Sequence, residues 1–318
     1  MSKRIDCVVC GSCVVDVLVH PVDLHQPIGA GRLVRTESLM LTTGGIVSNA
    51  GITLARLGKR VAAMTYVGDD AWAEVVRERY QSEGIDTKYL QIHPSAPTST
   101  TAVMINESGE RSFLHAVGAP KKLDKQVFLS LLDLFADSHF MLLGYFPLLP
   151  NLLEDLPSVL QAIQQVGCKT ALDSAGEGGS LDQLQPSLPF LDCYVPSLAE
   201  AKHQTGENDP ERILTAYREA GAAGLVGVKL GEDGALLSAS RDDYLEVAPV
   251  KAPAVVVDTT GAGDCFFGGL LTGLLRGLDL ADAGKLASAA GACCVTGLGA
   301  TTAVRNYEQT CRLAGIES

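Results

Sequence analysis

The sequence predicts an α/β fold in which helices cover both faces of a mainly parallel sheet and a small β-lid closes over one edge. Apolar runs with β character alternate with segments of helical period along most of the chain, which is typical of such sheets. Hydrophobic residues make up 47% of the 318 residues, and glycine occurs 33 times. Both features suit a sheet that is buried on its two faces.

Each element follows from its local pattern and from the residues that stop it. Asp70 is predicted as the N-cap of one helix, and Gly58 ends the helix before it. The predicted strands cover residues 8–15, 61–67, 140–143, 170–173, 192–195, 225–230 and 253–257. The predicted helices cover residues 48–57, 70–80, 152–166, 198–205, 211–220, 283–295 and 307–313, with a further helix after residue 264.

Two segments break the alternation and predict the lid. Residues 16–43 are extended and have no helical period, and residues 98–117 form two strand patterns joined by a turn at residues 106–109. Ligands of α/β folds bind at the carboxyl edge of the sheet, where such a layer would close. We therefore assign residues 1–15, 44–97 and 118–318 to a large α/β domain and the two segments to a small β-lid.

Composition excludes several classes of partner. A net charge of −12 disfavours nucleic acid and anionic membranes, because both require a basic face. No early apolar run is long enough to cross a bilayer, so a cytoplasmic protein is expected.

The cysteines predict buried side chains and no zinc site. Cys7, Cys10 and Cys13 lie in a β-type run, so Cys7 and Cys10 point to opposite faces. Free cysteine behaves as a small hydrophobic residue in such surroundings.

A glycine-rich turn carries the strongest chemical signal. The run Asp258-Thr-Thr-Gly-Ala-Gly-Asp264 leads from a predicted strand into a helix. The N–H groups of Gly261, Ala262 and Gly263 would lie at the positive end of the helix dipole, where an anion binds. Asp264 beside that site suits a base that takes the proton of an attacking hydroxyl. An acidic N-cap would explain Asp264, but not the clustered glycines or Asp258.

Residues 258–271 resemble the second signature of the ribokinase-like (PfkB-type) carbohydrate kinases. The resemblance implies a ribokinase-like three-layer α/β/α sandwich with a small β-lid and a reaction that uses ATP and Mg²⁺. It assigns the catalytic base to Asp264 and the anion hole to Gly261, Ala262 and Gly263.

The substrate is expected at the start of the helix predicted after Gly44 and Gly45. Two glycines before a helix allow a ligand to approach the backbone, and Asn49 offers both a donor and an acceptor for vicinal hydroxyls. A plain turn with a capping residue is the alternative. Asp16 resembles the sugar-binding aspartate of the family, and a carboxylate accepts strong hydrogen bonds from hydroxyls.

Lid and nucleotide residues complete the predicted site. Phe113 and His115 share one face of a lid strand and could cover the sugar. Lys229, Gly231 and Gly234 resemble the family turn under the nucleotide phosphates. Cys294 belongs to residues 292–302, which resemble the segment that walls the adenine.

Two metal sites are implied by the resemblance. Glu200 matches the glutamate that organises Mg²⁺ through water, and Ser197 replaces the usual asparagine of the nucleotide site. The same two residues also form the pattern of a capping box. Asp258 and the carbonyl of Thr260 match residues that hold K⁺ in many relatives.

The sequence thus predicts an ATP-dependent kinase for a hydroxyl, preferably primary, of a small sugar. A nucleoside or pseudouridine kinase is the alternative within this fold, and a silent ligand-binding protein is the alternative of another class. No P-loop motif is present, and Gly261-Ala-Gly263 lacks the third glycine of a dinucleotide fingerprint. The β-lid could also form the contact of a homodimer.

Overall fold

The computed structural model describes residues 3–25, 29, 31, 33–176, 178–241 and 243–317. The predicted lid segment 16–43 therefore contains a few residues outside the described part. The strands are β1 (Ile5–Gly11), β2 (Val14–His20), β3 (Ser38–Gly44), β4 (Val61–Val67), β5 (Leu90–Ile92), β6 (Thr100–Ile105), β7 (Arg111–Ala116), β8 (Ser138–Gly144), β9 (Lys169–Asp173), β10 (Cys193–Tyr194), β11 (Leu225–Lys229), β12 (Ala235–Ser238) and β13 (Leu245–Val247). The α-helices are α1 (Gly45–Arg56), α2 (Ala71–Ser82), α3 (Lys125–Ser130), α4 (Leu132–Ala136), α5 (Leu156–Gln165), α6 (Leu181–Leu184), α7 (Leu198–Thr205), α8 (Pro210–Glu219), α9 (Ala262–Arg276), α10 (Leu280–Cys294) and α11 (Tyr307–Ala314).

A nine-stranded sheet forms the centre of the large domain. Its order is β13-β12-β11-β10-β9-β8-β1-β4-β5. The strands from β11 to β5 run parallel, and β12 and β13 add an antiparallel edge. The prediction of an α/β fold with a mainly parallel sheet is confirmed.

Alternate side chains of the central strands feed two separate cores. Val8 and Cys10 of β1 pack with residues of α3, α4, α5, α7 and α8, whereas Cys7 and Val9 pack with α1, α2, α9 and α10. Cys7 and Cys10 thus lie on opposite faces, as the β period predicts. All nine cysteines are free and buried.

The lid is a four-stranded sheet of order β3-β2-β6-β7. Strands β2 and β6 run parallel, while the outer pairs β2–β3 and β6–β7 are antiparallel. Apart from Val14, Val15 and Gly44, its strands come from the two chain segments that the sequence singles out. The domain boundaries drawn there stay a prediction.

Two predicted strands are wrong. Residues 8–15 form no single strand, because β1 ends at Gly11 and β2 starts at Val14 in the other sheet. A Cβ at Gly11 would lie 2.2 Å from the carbonyl oxygen of Gly144, so the chain turns where only glycine fits. Residues 253–257 are irregular, because β12 and β13 already occupy that edge of the sheet. Val255 is 82% exposed.

Helix starts follow their capping residues closely. Asp70 accepts a hydrogen bond from the N–H of Ala73 at 3.0 Å, which confirms it as an N-cap. Helix α7 has the predicted bounds, and α9 follows the glycine-rich turn. Across the described ranges of the chain, no helix is both long enough and apolar enough to span a membrane.

Core packing at α3 and α4 provides a test of the fold. Phe128 and Phe135 stack with their ring centroids 6.2 Å apart, and Phe128 is fully buried. Phe128→Ala leaves a cavity, so we expect a loss of about 3–5 kcal/mol in the free energy of unfolding, measured by denaturant titration. Ile92→Ala, at a side chain that is 51% exposed, is the control. An equal effect of the two changes would contradict the assigned core.

Candidate active site

A cleft of about 1330 Å³ lies between the carboxyl ends of the parallel strands and the inner face of the lid. The residues Tyr145, Asp173, Ser197 and Lys229 sit at or just after the ends of β8, β9, β10 and β11. The predicted site residues that line this cleft are Asp16, Gly44, Gly45, Asn49, Phe113, His115, Ser197, Glu200, Lys229, Gly231, Gly234, Asp258, Thr260, Gly261, Ala262, Gly263 and Asp264.

Cys294 does not line the cleft. Its side chain is fully buried, and its thiol donates to the carbonyls of Thr260, at 3.3 Å, and Ala300, at 3.0 Å. The side chain therefore supports the wall from behind, so the geometry does not favour the predicted contact with a nucleotide.

The Asp264 carboxylate has one oxygen held and one oxygen left for a ligand. Asn49 Nδ2 donates to Oδ2 at 2.7 Å, and the hydroxyl of Tyr145 donates to the same oxygen at 2.8 Å. No donor within the described ranges reaches Oδ1. The side chain is thus fixed by two elements, α1 and the end of β8, while Oδ1 can accept a proton.

Burial raises the pKa of Asp264. The hydrogen bonds from Asn49 and Tyr145 and the charge of Lys229 lower it, but the net direction is upward. A carboxylate with a raised pKa is a stronger base than an ordinary aspartate.

The first turn of α9 leaves backbone donors facing the cleft. Gly261 has φ +77° and is the N-cap, and a Cβ there would lie 2.3 Å from the Cβ of Ala300. In the described structure the N–H groups of Gly261 and Gly263 have no acceptor. The N–H of Ala262 donates to the carbonyl of Thr259 at 3.3 Å, so two of the three predicted groups are free. They lie at the positive end of the helix dipole.

Lys229 places a cation beside these amides. Its Nζ lies 3.2 Å from the point where a Cβ of Gly263 would be. It also lies 3.0 Å from Oδ1 of Asp173, and the two side chains are 10% and 2% exposed. Sequence reasoning missed Asp173 as a site residue, although it ends a parallel strand.

The Lys229–Asp173 contact is an ion pair. Burial lowers the pKa of Lys229, but the carboxylates of Asp173, Glu200 and Asp264 outweigh burial and raise it. Burial also raises the pKa of Asp173, which Lys229 opposes. The 3.0 Å contact between Lys229 Nζ and Asp173 Oδ1 favours the charged form of both groups.

Tyr145 is a second site residue that the sequence did not reveal. It has φ +61°, the sole positive φ outside glycine in the described part of the chain. A tyrosine is rarely found in this region, so the conformation is strained. Its N–H donates to the carbonyl of Asp173 at 3.0 Å. Burial and the Asp264 carboxylate raise the pKa of Tyr145, so the hydroxyl stays protonated and donates.

The predicted substrate end contains polar groups that lack partners. Asn49 Oδ1 is buried and accepts no hydrogen bond from any described residue, although Nδ2 is used. Buried polar atoms are nearly always paired, so this oxygen fits a ligand hydroxyl. A Cβ at Gly44 would lie 2.4 Å from Asp16 Oδ2, and Gly45 has φ +78°. Burial raises the pKa of Asp16 to about 6.

The lid contributes a ring and an imidazole to the same end. Phe113 is 56% exposed and lines the cleft from β7. His115 lies on the same face of that strand, with Nδ1 2.9 Å from the hydroxyl of Thr101 on β6. The structure thus brings both residues over the cleft.

The end of the cleft opposite the predicted substrate end contains a tight turn. Gly231 has φ +67° and Gly234 has φ +92°, and a Cβ at Gly234 would lie 2.0 Å from the carbonyl oxygen of Val247. Ser197 and Glu200 form a capping box with hydrogen bonds of 2.7 and 3.3 Å. Only Oε2 of Glu200 is used in it.

The other carboxylate oxygen of Glu200, Oε1, takes no part in the capping box and fits Mg²⁺ held through water. Magnesium keeps most of its waters and needs only one or two carboxylates beside phosphate oxygens. The prediction of an indirect magnesium contact by Glu200 is compatible with this donor set.

Asp258 does not fit K⁺. Its Oδ1 accepts from Arg111 Nη1 and from the N–H of Thr260 at 2.8 Å, and its Oδ2 accepts from the N–H of Gly299 at 2.8 Å. A guanidinium therefore occupies the carboxylate that was expected to hold the cation. Sequence reasoning missed Arg111, because it lies on the lid and is far from Asp258 in the sequence.

Comparison with known proteins finds relatives that match nearly the whole chain. The profile described as pfkB family carbohydrate kinase matches residues 4–306. The chain is 26% identical to a ribokinase of Haemophilus influenzae over 297 residues, which are 92% of this chain and 93% of the relative. It is 28% identical to a fructokinase of Klebsiella pneumoniae over 312 residues, 93% and 95% of the two chains.

The fold has solved counterparts. The structure of Arabidopsis thaliana ribokinase complexed with ribose and ATP aligns with a TM-score of 0.84 and 23% identity, and the alignment covers 100% of both chains. The chain belongs to the pfkB family of carbohydrate kinases. The prediction of a ribokinase-like sugar kinase is thereby confirmed at the level of the family.

Tyr145→Phe tests the role of the hydroxyl at Asp264. A hydrogen bond to the ionised form lowers the pKa of a carboxyl group, so its loss raises the pKa of Asp264 further. We expect the acidic limb of the pH profile of kcat/KM to move to higher pH, and kcat to fall about tenfold.

Tyr244→Phe is the matched control, since the Tyr244 hydroxyl lies 3.2 Å from Thr215 Oγ1 outside the cleft. An acidic limb at the same pH in wild type and in Tyr145→Phe would contradict the assigned contact.

Proposed function

We propose that this protein transfers the γ-phosphoryl group of ATP to a hydroxyl, preferably a primary one, of a small sugar. The observation that carries the proposal is the Asp264 carboxylate, with Oδ2 fixed and Oδ1 open to the cleft beside the free amides of α9. A base and an anion-binding site on the same helix turn are the parts that phosphoryl transfer requires.

The chain's own groups account for each step. Asp264 Oδ1 accepts the proton of the sugar hydroxyl, whose oxygen then forms a bond to the γ-phosphorus as the bond to the ADP oxygen breaks. The N–H groups of Gly261 and Gly263 and the Lys229 ammonium balance the charge on the transferring group. Magnesium, when bound through water at Glu200, would neutralise charge on the phosphate oxygens.

The sugar is proposed at the lid end. Asn49 Oδ1 has no hydrogen-bond partner among the described residues, and the Asp16 carboxylate faces the cleft, so both can accept hydroxyl hydrogen bonds. Phe113 and His115 would cover the bound sugar. The relatives named ribokinase and fructokinase support a pentose or hexose as the acceptor.

A nucleoside acceptor is the second candidate within the same chemistry. Phe113 is aromatic, 56% exposed and directed into the cleft, where it could stack on a base. This alternative changes the acceptor and leaves the roles of Asp264 and the anion hole unchanged.

ATP is proposed along the turn of Gly231 and Gly234 and the segment around Val256. These residues line the cleft beyond the anion hole, and Val256 is 55% exposed. An exposed apolar run inside a cleft suits an adenine ring. The Arabidopsis structure with ATP supports the nucleotide. K⁺ forms no part of the proposal because Arg111 occupies Asp258.

Asp264→Asn tests the reaction. The amide cannot accept the hydroxyl proton, so we expect kcat to fall by about 10²–10⁴-fold while nucleotide affinity and thermal stability stay near those of wild type. The measurement is coupled ADP release with Mg²⁺ over pentoses, hexoses, ribonucleosides and pseudouridine.

Asp133→Asn is the control, because Asp133 also lies in the first turn of a helix but is exposed and outside the cleft. Near-normal turnover in Asp264→Asn would exclude it as the base. Nucleotide binding without ADP release on any acceptor would favour a silent ligand-binding protein.

We also propose a homodimer through the outer face of the lid. Leu39, Leu41 and Leu114 lie on its outer strands β3 and β7 and are 65%, 53% and 63% exposed. Exposed apolar side chains that share one face of a sheet mark association surfaces. Leu41→Asp should convert a dimer into a monomer in light scattering, and Ile92→Asp elsewhere on the surface should not. A monomeric wild type would contradict the dimer.

A further inference from the structure

The lid places the guanidinium group of Arg111 against the loop that precedes the anion hole. Arg111, the first residue of β7, forms an ion pair with Asp258 across the cleft, and the two side chains are 15% and 2% exposed. Its Nη1 also donates to the hydroxyl of Thr260 at 2.7 Å. The contact therefore joins the lid to the residue that immediately precedes Gly261.

Asp258 is held as an anion in this arrangement. Burial raises the pKa of Asp258, but the hydrogen bonds from Arg111 and from the N–H groups of Thr260 and Gly299 outweigh it, so the pKa lies below its usual range. Arginine keeps its charge at all relevant pH values. The pair is thus a charged contact with both carboxylate oxygens engaged.

A monovalent cation would be redundant here. One carboxylate and one guanidinium already sum to zero charge, so an added K⁺ would leave an uncompensated positive charge in a buried place. The Thr260 carbonyl, the other expected ligand of K⁺, accepts a hydrogen bond from the thiol of Cys294.

We propose that Arg111 is a positioning residue that replaces the monovalent cation. Through Asp258 and Thr260 it fixes the loop leading to Gly261, so that phosphoryl transfer proceeds without K⁺. This inference rests on the proposed function for its kinetic consequence. Because the cation is carried by the lid, the shape of the anion hole is also coupled to the position of the lid.

The kinetic test compares KCl with tetramethylammonium chloride at equal ionic strength. We expect wild-type kcat to agree within about twofold in the two salts, and Arg111→Ala to lose at least about tenfold in tetramethylammonium. Potassium should restore part of the lost rate in Arg111→Ala, because the Asp258 carboxylate is then open. Arg111→Lys, which keeps the charge, should retain more activity than Arg111→Ala.

A second measurement does not need turnover. The melting temperature of wild type should be the same in the two salts, whereas KCl should stabilise Arg111→Ala relative to tetramethylammonium. Arg312→Ala is the control, since Arg312 lies 3.9 Å from Glu308 in an exposed ion pair. The melting temperatures show whether K⁺ binds in place of Arg111 even if no acceptor is phosphorylated. Failure of the proposed function can therefore be distinguished from failure of this inference.

Three results would overturn the inference. They are a wild-type rate raised more than about fivefold by K⁺, an Arg111→Ala variant with the wild-type rate in both salts, and an Arg111→Ala variant that loses rate equally in both salts without stabilisation by K⁺. If Arg111→Ala does not fold, the same comparisons are made with Arg111→Lys, for which an equal loss of rate in both salts without stabilisation by K⁺ would also contradict the inference.

Discussion

The proposed reaction depends on one constraint, which is that the Asp264 carboxylate must be buried and still able to take a proton. Burial alone would force a neutral acid. Hydrogen bonds from Asn49 and Tyr145 to Oδ2 and the nearby Lys229 charge stabilise the anion while Oδ1 stays open. The N-terminal half of helix α1 and the carboxyl ends of strands β8 and β11 must therefore meet at one place, which is what a parallel sheet provides.

The same end of the sheet concentrates charge. Asp173, Lys229, Glu200 and Asp264 interact electrostatically within the described cleft, and the large domain supplies all of them. The lid adds Arg111, whose partner Asp258 lies at the start of the glycine-rich turn. The lid and the glycine-rich turn thus share one ion pair.

Much of this could be read from local pattern. The alternation of elements, the N-cap at Asp70, the turn before α9 and the two lid segments depend on neighbouring residues, and the sheet and helices formed near the expected positions. Residues 253–257 had the composition of a strand, but β12 and β13 had taken the available edge. Cys294 lay in the expected segment, yet its side chain points behind the cleft wall.

By itself the sequence determined the fold class and predicted both the anion-binding turn and the base that we propose at Asp264, because each rests on residues close together in the chain. Tertiary structure alone decided that Tyr145 reaches Asp264, that Lys229 pairs with Asp173 and that Arg111 meets Asp258. The last of these contacts joins residues separated by 147 positions. Such pairs are set by how strand ends and the lid converge in space, and no local rule of spacing encodes that convergence.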